Sequence, residues 1–577
     1  MHAILRAAPA PTLPLLRVHP SPISKGEGRG GGCLRGIRPY ALLCLLCLIL
    51  YAPGLAAIPP LDRDEPRFAQ ATRQMLETGD FIRIRFQDEA RNKKPIGIYW
   101  LQAAAVAAFS SPESAAIWPY RLPSALAATI AVVLTFGLGT CLLGSRTAAL
   151  MAAVLTASAL GVVVEAHLAK TDAVLLAAVI AGQGALGLAY TGIRSGYPVP
   201  RGVALVFWAA EAAAILLKGP PGPVLALLTV AALSLADRDM RWLKGLRPLT
   251  GLPIAVLIVA PWFVAVESAT RGEFISNALA SDVLPKLVGA QESHGAPPGY
   301  YAVLAVISFW PGSLFIVPAL VRGWQRRRSA AERFLLAWLV PAWALFELVP
   351  TKLPHYVLPL YPALALLAGG ALVEGFGSAL ASRVRYLSSA VKLLWAAITV
   401  ALAAALVVLP GRLGGAVSPW AIAAVPVTLG LASVLLVRDW RPLPTAGFVA
   451  ALAAAFVVPA GLGVAPGLDH LWLSRAAVAA VARHSPPTDT AVLSVGYSEP
   501  SLVFLLGTAT RLVSATLSAD QLAGAGLALV NEHDDREFRQ SLARQALTAD
   551  ALEQVTGLDY SAGGTKVVLT LYRLEPD

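Results

Sequence analysis

The sequence predicts an α-helical polytopic membrane protein of about thirteen transmembrane helices, with a small soluble α/β domain at its carboxyl end. Two features of the composition predict the membrane class: hydrophobic residues make up 56% of the 577 positions, and charged residues only 14%. A soluble domain carries about a quarter charged residues, so this chain has too little polar surface to cover itself in water. The third feature is a series of apolar runs between residues 38 and 465, each near the roughly 20 residues that cross a bilayer.

The chain divides into three predicted segments. Residues 1–37 are basic and rich in proline and glycine, which is typical of a disordered tail. Residues 38–470 hold the apolar runs and form the predicted transmembrane domain, whereas residues 471–577 have frequent charges and short apolar runs. The first run, residues 40–57, can be a cleavable signal peptide or a first span. We favour the uncleaved span, because a polytopic protein needs no cleavage.

The distribution of basic residues predicts the topology. Arg and Lys occur in alternate loops, for example at Arg326–Arg328 and at Arg438 and Arg441, as the positive-inside rule requires. Counting the apolar stretch Ile96–Ser110 as a crossing would invert every later loop, so we interpret it as a short re-entrant or outward-lying helix. The amino terminus is then inside and the soluble domain outside. The predicted crossings are residues 38–57, 122–143, 147–164, 172–191, 203–217, 221–236, 250–268, 299–321, 334–348, 356–374, 391–410, 418–437 and 444–465.

The net charge of +11 does not indicate nucleic-acid binding. The basic residues lie in short loops and form no stripe interleaved with aromatic residues, which is the pattern that binds nucleic acid. The four cysteines are Cys33, Cys44, Cys47 and Cys141, in the tail or in predicted spans. They predict neither a disulfide framework nor a zinc site.

Four unusually polar loops face the outer side in this topology, and we expect the functional site where they meet. They are residues 58–121, 165–171, 269–298 and 349–355. Polar groups near hydrocarbon are costly unless they are paired or used, at about 2.5–3.5 kcal/mol for a charge at the bilayer centre.

The first outer loop carries the most informative motifs. Asp64-Glu65 opens a predicted helix just after the first span, and Lys93-Lys94-Pro95 follows later in the same loop. The helix dipole alone favours acids at this position, which would make them capping residues. That interpretation explains one carboxylate but not the later Lys-Pro.

These motifs, taken in order, resemble those of the lipid A aminoarabinose transferases and the related protein O-mannosyltransferases, which share glycosyltransferase fold C. The resemblance covers roughly residues 38–470, and the thirteen-span topology agrees with it. The chain departs from the lipid A enzymes at Lys93, where an acidic residue is typical, and this puts a metal site using that acid in doubt. Further matching motifs are Arg121-Leu122-Pro123-Ser124-Ala125, Lys170-Thr171-Asp172, Leu217-Lys218-Gly219-Pro220, Pro261-Trp262 and Lys352-Leu353-Pro354-His355-Tyr356.

The resemblance implies an enzyme that moves a sugar from a polyprenyl phosphate to a lipid, glycan or protein acceptor on the outer face of a bacterial-type inner membrane. Such chemistry needs a carboxylate near the acceptor and cations near the leaving phosphate. The resemblance assigns the catalytic carboxylate to Asp64, with Glu65 beside it and Asp172 as a second acid. The candidate phosphate-binding residues are Lys94, Lys352, Arg67, Arg121 and Lys286. The candidate substrate-cavity residues are His294, His355, Tyr356 and Lys218.

Plainer interpretations stay open for several of these residues. Asp172 can cap the helix that it begins, and Lys94 can be an interfacial lysine that reaches to water. Lys352 can be a topological anchor, although an outer lysine runs against the positive-inside trend. His294 with Glu292 offers too few ligands for a metal site. No cofactor and no metal site are therefore predicted, and a divalent cation remains compatible with the chemistry.

The carboxyl-terminal segment predicts a small α/β domain that either shapes acceptor access or serves as a structural cap. Its predicted strands are Thr490–Val495, Gly526–Val530 and Lys566–Tyr572, and its predicted helices are Glu499–Leu506 and Asp534–Gln545. Two other functional classes compete with the transferase. A transporter or flippase usually shows internal repeats, and none is evident. A polyprenyl-linked polysaccharide polymerase or ligase would use similar chemistry at the same face.

Overall fold

A computed structural model describes residues 36–278, 280, 295–374, 385–484, 491–522 and 524–576. Helices build the part that precedes residue 472, and a mixed α/β domain follows. The helices of the first part are Arg38–Tyr51, Asp64–Thr78, Gly97–Phe109, Trp118–Leu143, Arg146–Ser158, Leu160–Ala166, Asp172–Arg194, Arg201–Lys218, Pro221–Asp237, Pro248–Ala269, Glu273–Ala278, Tyr300–Ser308, Ile316–Gln325, Ala330–Leu348, Tyr361–Glu374, Arg385–Arg412, Pro419–Val437 and Pro442–Pro459.

The predicted helical membrane fold is confirmed, although fewer helices than thirteen qualify as spans by themselves. Among the described residues seven helices are long and apolar enough to cross a membrane, and eight if a bent pair counts as one span. The other predicted crossings fall on helices that are short, such as Pro221–Asp237, or broken, such as Tyr300–Ser308 followed by Ile316–Gln325. Helix Arg201–Lys218 carries Glu211 in its middle and a basic residue at each end, so it has too many charged residues to qualify as a span by itself.

Ion pairs of arginine residues mark one end of the bundle. Helix Asp172–Arg194 has 23 residues and is therefore about 33 Å long, close to the roughly 30 Å of hydrocarbon in a bilayer. At its carboxyl end Arg194 pairs with Asp237 at 2.6 Å, and Arg322 pairs with Glu374 at 2.7 Å on neighbouring helices. The loops that the sequence assigns to the inside therefore meet at this end, and Asp172 lies at the other.

A break at Ala159 shapes the site. Helices Arg146–Ser158 and Leu160–Ala166 are bent by 58° at this residue. The Leu160 N–H donates to the Trp310 carbonyl at 2.9 Å, and Trp310 itself lies where helix Tyr300–Ser308 has ended. The second half of the bent pair delivers Glu165 to the end of the bundle where Asp172 lies.

The stretch Ile96–Ser110, which we interpret from the sequence as a short helix, contains helix Gly97–Phe109. This helix has 13 residues and is one of the shorter apolar helices. It packs on helix Asp64–Thr78, which we call the loop helix. Phe68 and Tyr99 stack with ring centroids 5.4 Å apart, and Thr72 Oγ1 donates to Gln102 Oε1 at 2.7 Å. The first outer loop is thus an ordered layer over the bundle, completed by the two-residue strands β1 (Arg85–Phe86) and β2 (Glu89–Ala90).

The carboxyl-terminal domain is built on a five-stranded mixed sheet. Its strands are β3 Ala491–Val495, β4 Arg511–Val513, β5 Ala525–Asn531, β6 Leu547–Asp559 and β7 Thr565–Pro576, and its helices are Leu473–His484, Pro500–Leu506, Ala519–Leu522 and Asp535–Ala543. The strand order is β4-β3-β5-β7-β6. Strand β3 runs parallel to β4 and β5, and the other two pairings are antiparallel. Three strands and two helices coincide with the elements that the sequence predicts.

Candidate active site

The loop helix begins with two acids that have opposite environments. Successive helical residues point about 100° apart, so Asp64 can face solvent while Glu65 faces the bundle. Asp64 is exposed, and within the described residues its carboxylate forms neither a hydrogen bond nor an ion pair. Glu65 is 1% exposed. The resemblance named both as catalytic, and only Asp64 has a carboxylate open to a substrate.

Glu65 and Arg121 form a buried clamp between the loop helix and helix Trp118–Leu143. Arg121 donates to the two carboxylate oxygens at 2.7 and 2.8 Å, and its remaining N–H groups reach the carbonyls of Leu55, Ile58 and Pro59. Glu65 also accepts the Ala169 N–H at 2.8 Å. All five guanidinium donors are used, so Arg121 has none left for a phosphate. This geometry favours a structural role for both residues over the predicted catalytic and phosphate-binding roles.

Two partly buried lysines meet two buried acids where the spans end. Lys170 Nζ lies 3.1 Å from Glu165 Oε1, and Lys218 Nζ forms an ion pair with Asp172 Oδ1. His355 lies between the pairs, with Nδ1 3.9 Å from Glu165 and Nε2 3.7 Å from Asp172. We call these five residues the lysine cluster. It joins three predicted site residues, Asp172, Lys218 and His355, from three separate outer segments of the chain.

Tyr356, another predicted cavity residue, covers one side of the lysine cluster. Its ring lies 5.6 Å from Lys218 Nζ, and its centroid is 5.2 Å from that of the His355 ring. A cation over an aromatic face is stabilised electrostatically. Tyr356 therefore belongs to the same site.

Asp64 lies within electrostatic reach of the lysine cluster. Burial lowers the pKa of Lys170, but the charges of Glu165, Asp172 and Asp64 outweigh it and raise that pKa overall. The exposed Asp64 carboxylate therefore acts electrostatically on the Lys170 ammonium of the cluster. They occupy the same outer end of the bundle, which is the meeting of polar loops that the sequence predicts.

Lys94 and Arg67 border the same region. The charge of Lys94, which is half-buried, acts on His355 of the lysine cluster. Arg67 follows Asp64 on the loop helix and is half-buried; burial and the nearby Arg91 lower its pKa, while Asp64 opposes that shift. Both predicted phosphate-binding cations thus line the approach to the site.

Lys352 has a different environment from the other predicted cations. It is 4% exposed, and its ammonium donates to the carbonyls of Glu347 at 2.9 Å and Val349 at 2.7 Å. These carbonyls lie at the carboxyl end of helix Ala330–Leu348, where a lysine commonly satisfies unpaired acceptors. The geometry favours a capping role for Lys352 over phosphate binding. Lys286 and His294 lie outside the described residues.

Two members of the lysine cluster, Glu165 and Lys170, are not among the site residues that the sequence predicts. Glu165 follows three valines in an apolar run, and Lys170 precedes Asp172 in the matched motif. An ionisable residue within an apolar run marks a functional position, and this signal was available for Glu165. Its Oε2 is buried without a hydrogen-bond partner in the described part of the chain.

The acids of the lysine cluster also have the composition of a metal site. One ligand atom each from Glu165, Asp172 and His355 lies within 4.8 Å of the others. Both acids already form ion pairs with lysines. The charge that a divalent cation would compensate is therefore compensated by Lys170 and Lys218.

The fold and this site define a class of protein. The chain has the fold of ArnT from Cupriavidus metallidurans, with a TM-score of 0.70 at 20% identity over 93% of this chain and 97% of that one. The structure of the same protein bound to undecaprenyl phosphate gives a TM-score of 0.68, at 20% identity over 93% of this chain and 98% of that one. The chain is therefore a polytopic membrane protein with an ArnT-like fold.

Within this class, the sequence is similar to particular transferases. A family model described as dolichyl-phosphate-mannose-protein mannosyltransferase matches residues 40–270. The undecaprenyl phosphate-α-4-amino-4-deoxy-L-arabinose arabinosyl transferase 1 of Pseudomonas fluorescens is 31% identical over 340 residues, 57% of this chain and 60% of the relative. Its counterpart in Pseudomonas aeruginosa strain UCBPP-PA14 is 30% identical over 57% of this chain and 59% of that protein. The resemblance predicted from the motifs is confirmed, and the chain spans about 60% of the length of these relatives.

Proposed function

We propose that this protein is a membrane glycosyltransferase that moves a sugar from a polyprenyl-phosphate donor to an acceptor on the outer face of the membrane. One observation carries the proposal: an open carboxylate, Asp64, acts on Lys170 of the lysine cluster at one end of a bundle of spans. The similarity to transferases named for undecaprenyl-phosphate donors supports it.

The reaction breaks the bond between the anomeric carbon and the phosphate oxygen, and forms a bond from that carbon to an acceptor oxygen. The bonding electrons leave on the phosphate, which gains negative charge. Lys170 and Lys218 stabilise this charge, and because both are largely buried their attraction is stronger than it is in water. Glu165 and Asp172 hold the two ammonium groups in place, so little reorganisation accompanies the charge transfer.

Asp64 serves the acceptor half of the reaction. A hydroxyl acceptor loses its proton to the carboxylate as the new bond forms. When the acceptor is already an anion, such as a lipid phosphate, Asp64 orients it or stabilises positive charge on the sugar. The exposure of Asp64 suits an acceptor that arrives from outside.

The relatives suggest which substrates to test first. Their names specify an undecaprenyl-phosphate donor carrying 4-amino-4-deoxy-L-arabinose, and we propose the same class of donor here. The proposed acceptor is a lipid, with lipid A tested first and then other glycans and proteins. The basic end of the bundle supports an inner-membrane orientation with the carboxyl-terminal domain outside.

The test is sugar transfer by the purified full-length protein in lipid nanodiscs. Asp64→Asn should reduce the rate of transfer by about 10²–10⁴, because general acid–base groups contribute that much. Donor affinity and thermal stability should stay unchanged, because the carboxylate has no partner in the described structure. Glu89→Gln, which changes an exposed acid of strand β2 in the same loop, is the matched control.

Transfer at a near wild-type rate by folded, donor-competent Asp64→Asn protein would contradict the catalytic assignment. Movement of the lipid-linked sugar across the membrane without a new glycosidic bond would instead identify a flippase. A product that grows by repeated units would identify a polymerase.

A further inference from the structure

The carboxyl-terminal domain forms hydrogen bonds with Asp62, two residues before Asp64. Asp62 Oδ1 accepts the Ser501 N–H at 2.9 Å, and Ser501 Oγ lies 2.6 Å from Asp62 Oδ2. The Asp62 N–H donates to the Tyr560 hydroxyl at 2.8 Å. Three hydrogen bonds from two different elements of the domain thus converge on one loop residue.

The domain side of this contact is rigidly built. Ser501 is 2% exposed and lies in helix Pro500–Leu506, and its hydroxyl is 2.6 Å from Ser474 Oγ, which is 2.9 Å from the Tyr497 hydroxyl. This chain of hydroxyls ties Ser501 to helix Leu473–His484. Asp62 therefore docks on a fixed surface.

Asp64 itself depends on its neighbours for its place. Its carboxylate has no hydrogen-bond partner in the described structure, so only the backbone on either side positions it. On one side Glu65 is clamped by Arg121 of the transmembrane bundle. On the other side Asp62 is clamped by Ser501 of the carboxyl-terminal domain.

We propose that Asp62 and Ser501 are positioning residues for the transfer reaction, through which the carboxyl-terminal domain holds Asp64 in its working geometry. This proposal rests on the proposed function. Asp62 touches no reacting group and acts through the backbone that leads to Asp64. A displacement of about 1 Å of a reacting group costs up to about 10²-fold in rate, so loss of the grip should lower turnover more than it lowers donor binding.

The other end of the same interface offers a matched control. Thr508 Oγ1 donates to Glu77 Oε2 at 2.8 Å and accepts from Gln70 Nε2 at 2.7 Å, so it also joins the domain to the loop helix. Glu77 lies 13 residues after Asp64, which is about 20 Å along a helix. The other partner, Gln70, lies six residues after Asp64, about 9 Å along the helix, so Thr508→Val removes two contacts of the same interface beyond the turn that carries the proposed catalytic carboxylate.

The experiment compares Asp62→Ala, Asp62→Asn and Thr508→Val as full-length proteins in nanodiscs. Asp62→Ala should lower kcat by about 10- to 100-fold with the donor KM within about twofold of wild type. Asp62→Asn keeps an acceptor for the Ser501 N–H and gains a donor to its hydroxyl, so it should rescue kcat. Thr508→Val should keep wild-type kcat. Equal losses in Asp62→Ala and Thr508→Val, or wild-type kcat in Asp62→Ala, would overturn the proposal.

Amide hydrogen exchange separates this proposal from the proposed function. Asp62→Ala should speed exchange at residues 61–69, and Thr508→Val should leave this segment unchanged. If the wild-type protein transfers no sugar, the proposed function fails, and the exchange result still decides whether Asp62 fixes the loop. Unchanged exchange in Asp62→Ala would reject the positioning role whatever the activity.

Discussion

Adjacent residues of the loop helix have different roles: Asp64 is exposed, whereas Glu65 is buried. Its carboxylate holds Arg121, and both side chains are almost fully buried. Removing one partner of a buried pair leaves an uncompensated charge and costs about 3–5 kcal/mol. We therefore expect Glu65→Gln to be less stable by this order, measured as a lower temperature of thermal unfolding.

The double variant Glu65→Gln, Arg121→Met is the control for this prediction. It removes both charges and should recover much of the stability, since the buried arginine is then no longer left unpaired. Stability in Glu65→Gln equal to that of Asp64→Asn would contradict the clamp.

Lys218 and Lys352 should respond differently to the same substitution. Lys218 pairs with Asp172 in the lysine cluster, whereas Lys352 binds backbone carbonyls. A hydrogen bond to a charged group is worth about 1.5–3 kcal/mol, so Lys218→Gln should weaken donor binding about tenfold or more. Lys352→Gln should lower the unfolding temperature and keep donor affinity within about twofold.

Donor affinity of the two variants can be measured with a radiolabelled polyprenyl-phosphate sugar in nanodiscs. A loss of affinity in Lys352→Gln together with wild-type affinity in Lys218→Gln would restore the phosphate-binding role that the sequence assigns to Lys352.

At the scale of elements, the contact between the loop and the carboxyl-terminal domain should depend on pH. Burial raises the pKa of Asp62 to about 7, hydrogen bonds from Ser501 oppose the shift, and the charges of Glu499 and Asp559 add to it. Across the contact Arg63 and Arg67 face Glu499, whose pKa is raised by burial and by Asp559. The facing hydroxyls belong to Tyr497 and Tyr560, and burial raises the pKa of both.

Proton linkage determines the direction in which the stability of this contact changes with pH. The pKa of Asp62 is higher in the docked state than in an unfolded chain, so the docked state binds more protons between about pH 4 and pH 7. Its stability should fall as pH rises through this window and level off above it. Unfolding temperatures at pH 5 and pH 8 should differ in the wild type and less so in Asp62→Asn, with Thr508→Val behaving as the wild type.

The elements were more predictable than the site, for a physical reason. Long apolar runs indicate burial in lipid directly, so the helices between Trp118 and Pro459 could be predicted from the sequence. Strand β6, Leu547–Asp559, was not predicted, because it is an edge strand in which only two residues are buried and polar residues interrupt the apolar ones. The bend at Ala159 was not predicted either, because the nearby Gly161 is a single glycine in an apolar run, which a helix tolerates.

The site residues were predictable by type and less so by role. Lys218 and Lys352 both stand beside proline or glycine near an outer loop, and only packing distinguishes the ion pair from the cap. Asp64 and Glu65 are adjacent acids whose roles differ because the helix turns between them. Contacts between distant segments, such as Asp62 with Ser501, leave no local signal in a sequence.

At the scale of the whole molecule, the membrane topology is the prediction that can be tested most directly. The basic loops meet at one end of the bundle and the lysine cluster lies at the other. In a cysteine-free background, an impermeant thiol reagent added from outside should label Ser498→Cys and not Arg327→Cys. Both positions are exposed, so accessibility alone does not distinguish them.

Labelling of Arg327→Cys but not of Ser498→Cys in intact cells would invert the topology. Labelling of both variants after the membrane is permeabilised is the control for reagent access.

The bend at Ala159 also sets the depth at which the chemistry takes place. Helix Arg146–Ser158 is about 20 Å long, and the seven residues after it, turned by 58°, add only about 6 Å along the same axis. The pair therefore advances about 26 Å, less than the roughly 30 Å of hydrocarbon. By the same measure Asp172 lies about 33 Å from Arg194, so the lysine cluster extends across the outer limit of the hydrocarbon, with Glu165 on its inner side. We therefore expect the proposed polyprenyl-phosphate donor to reach the cluster with its hydrocarbon tail still among the acyl chains.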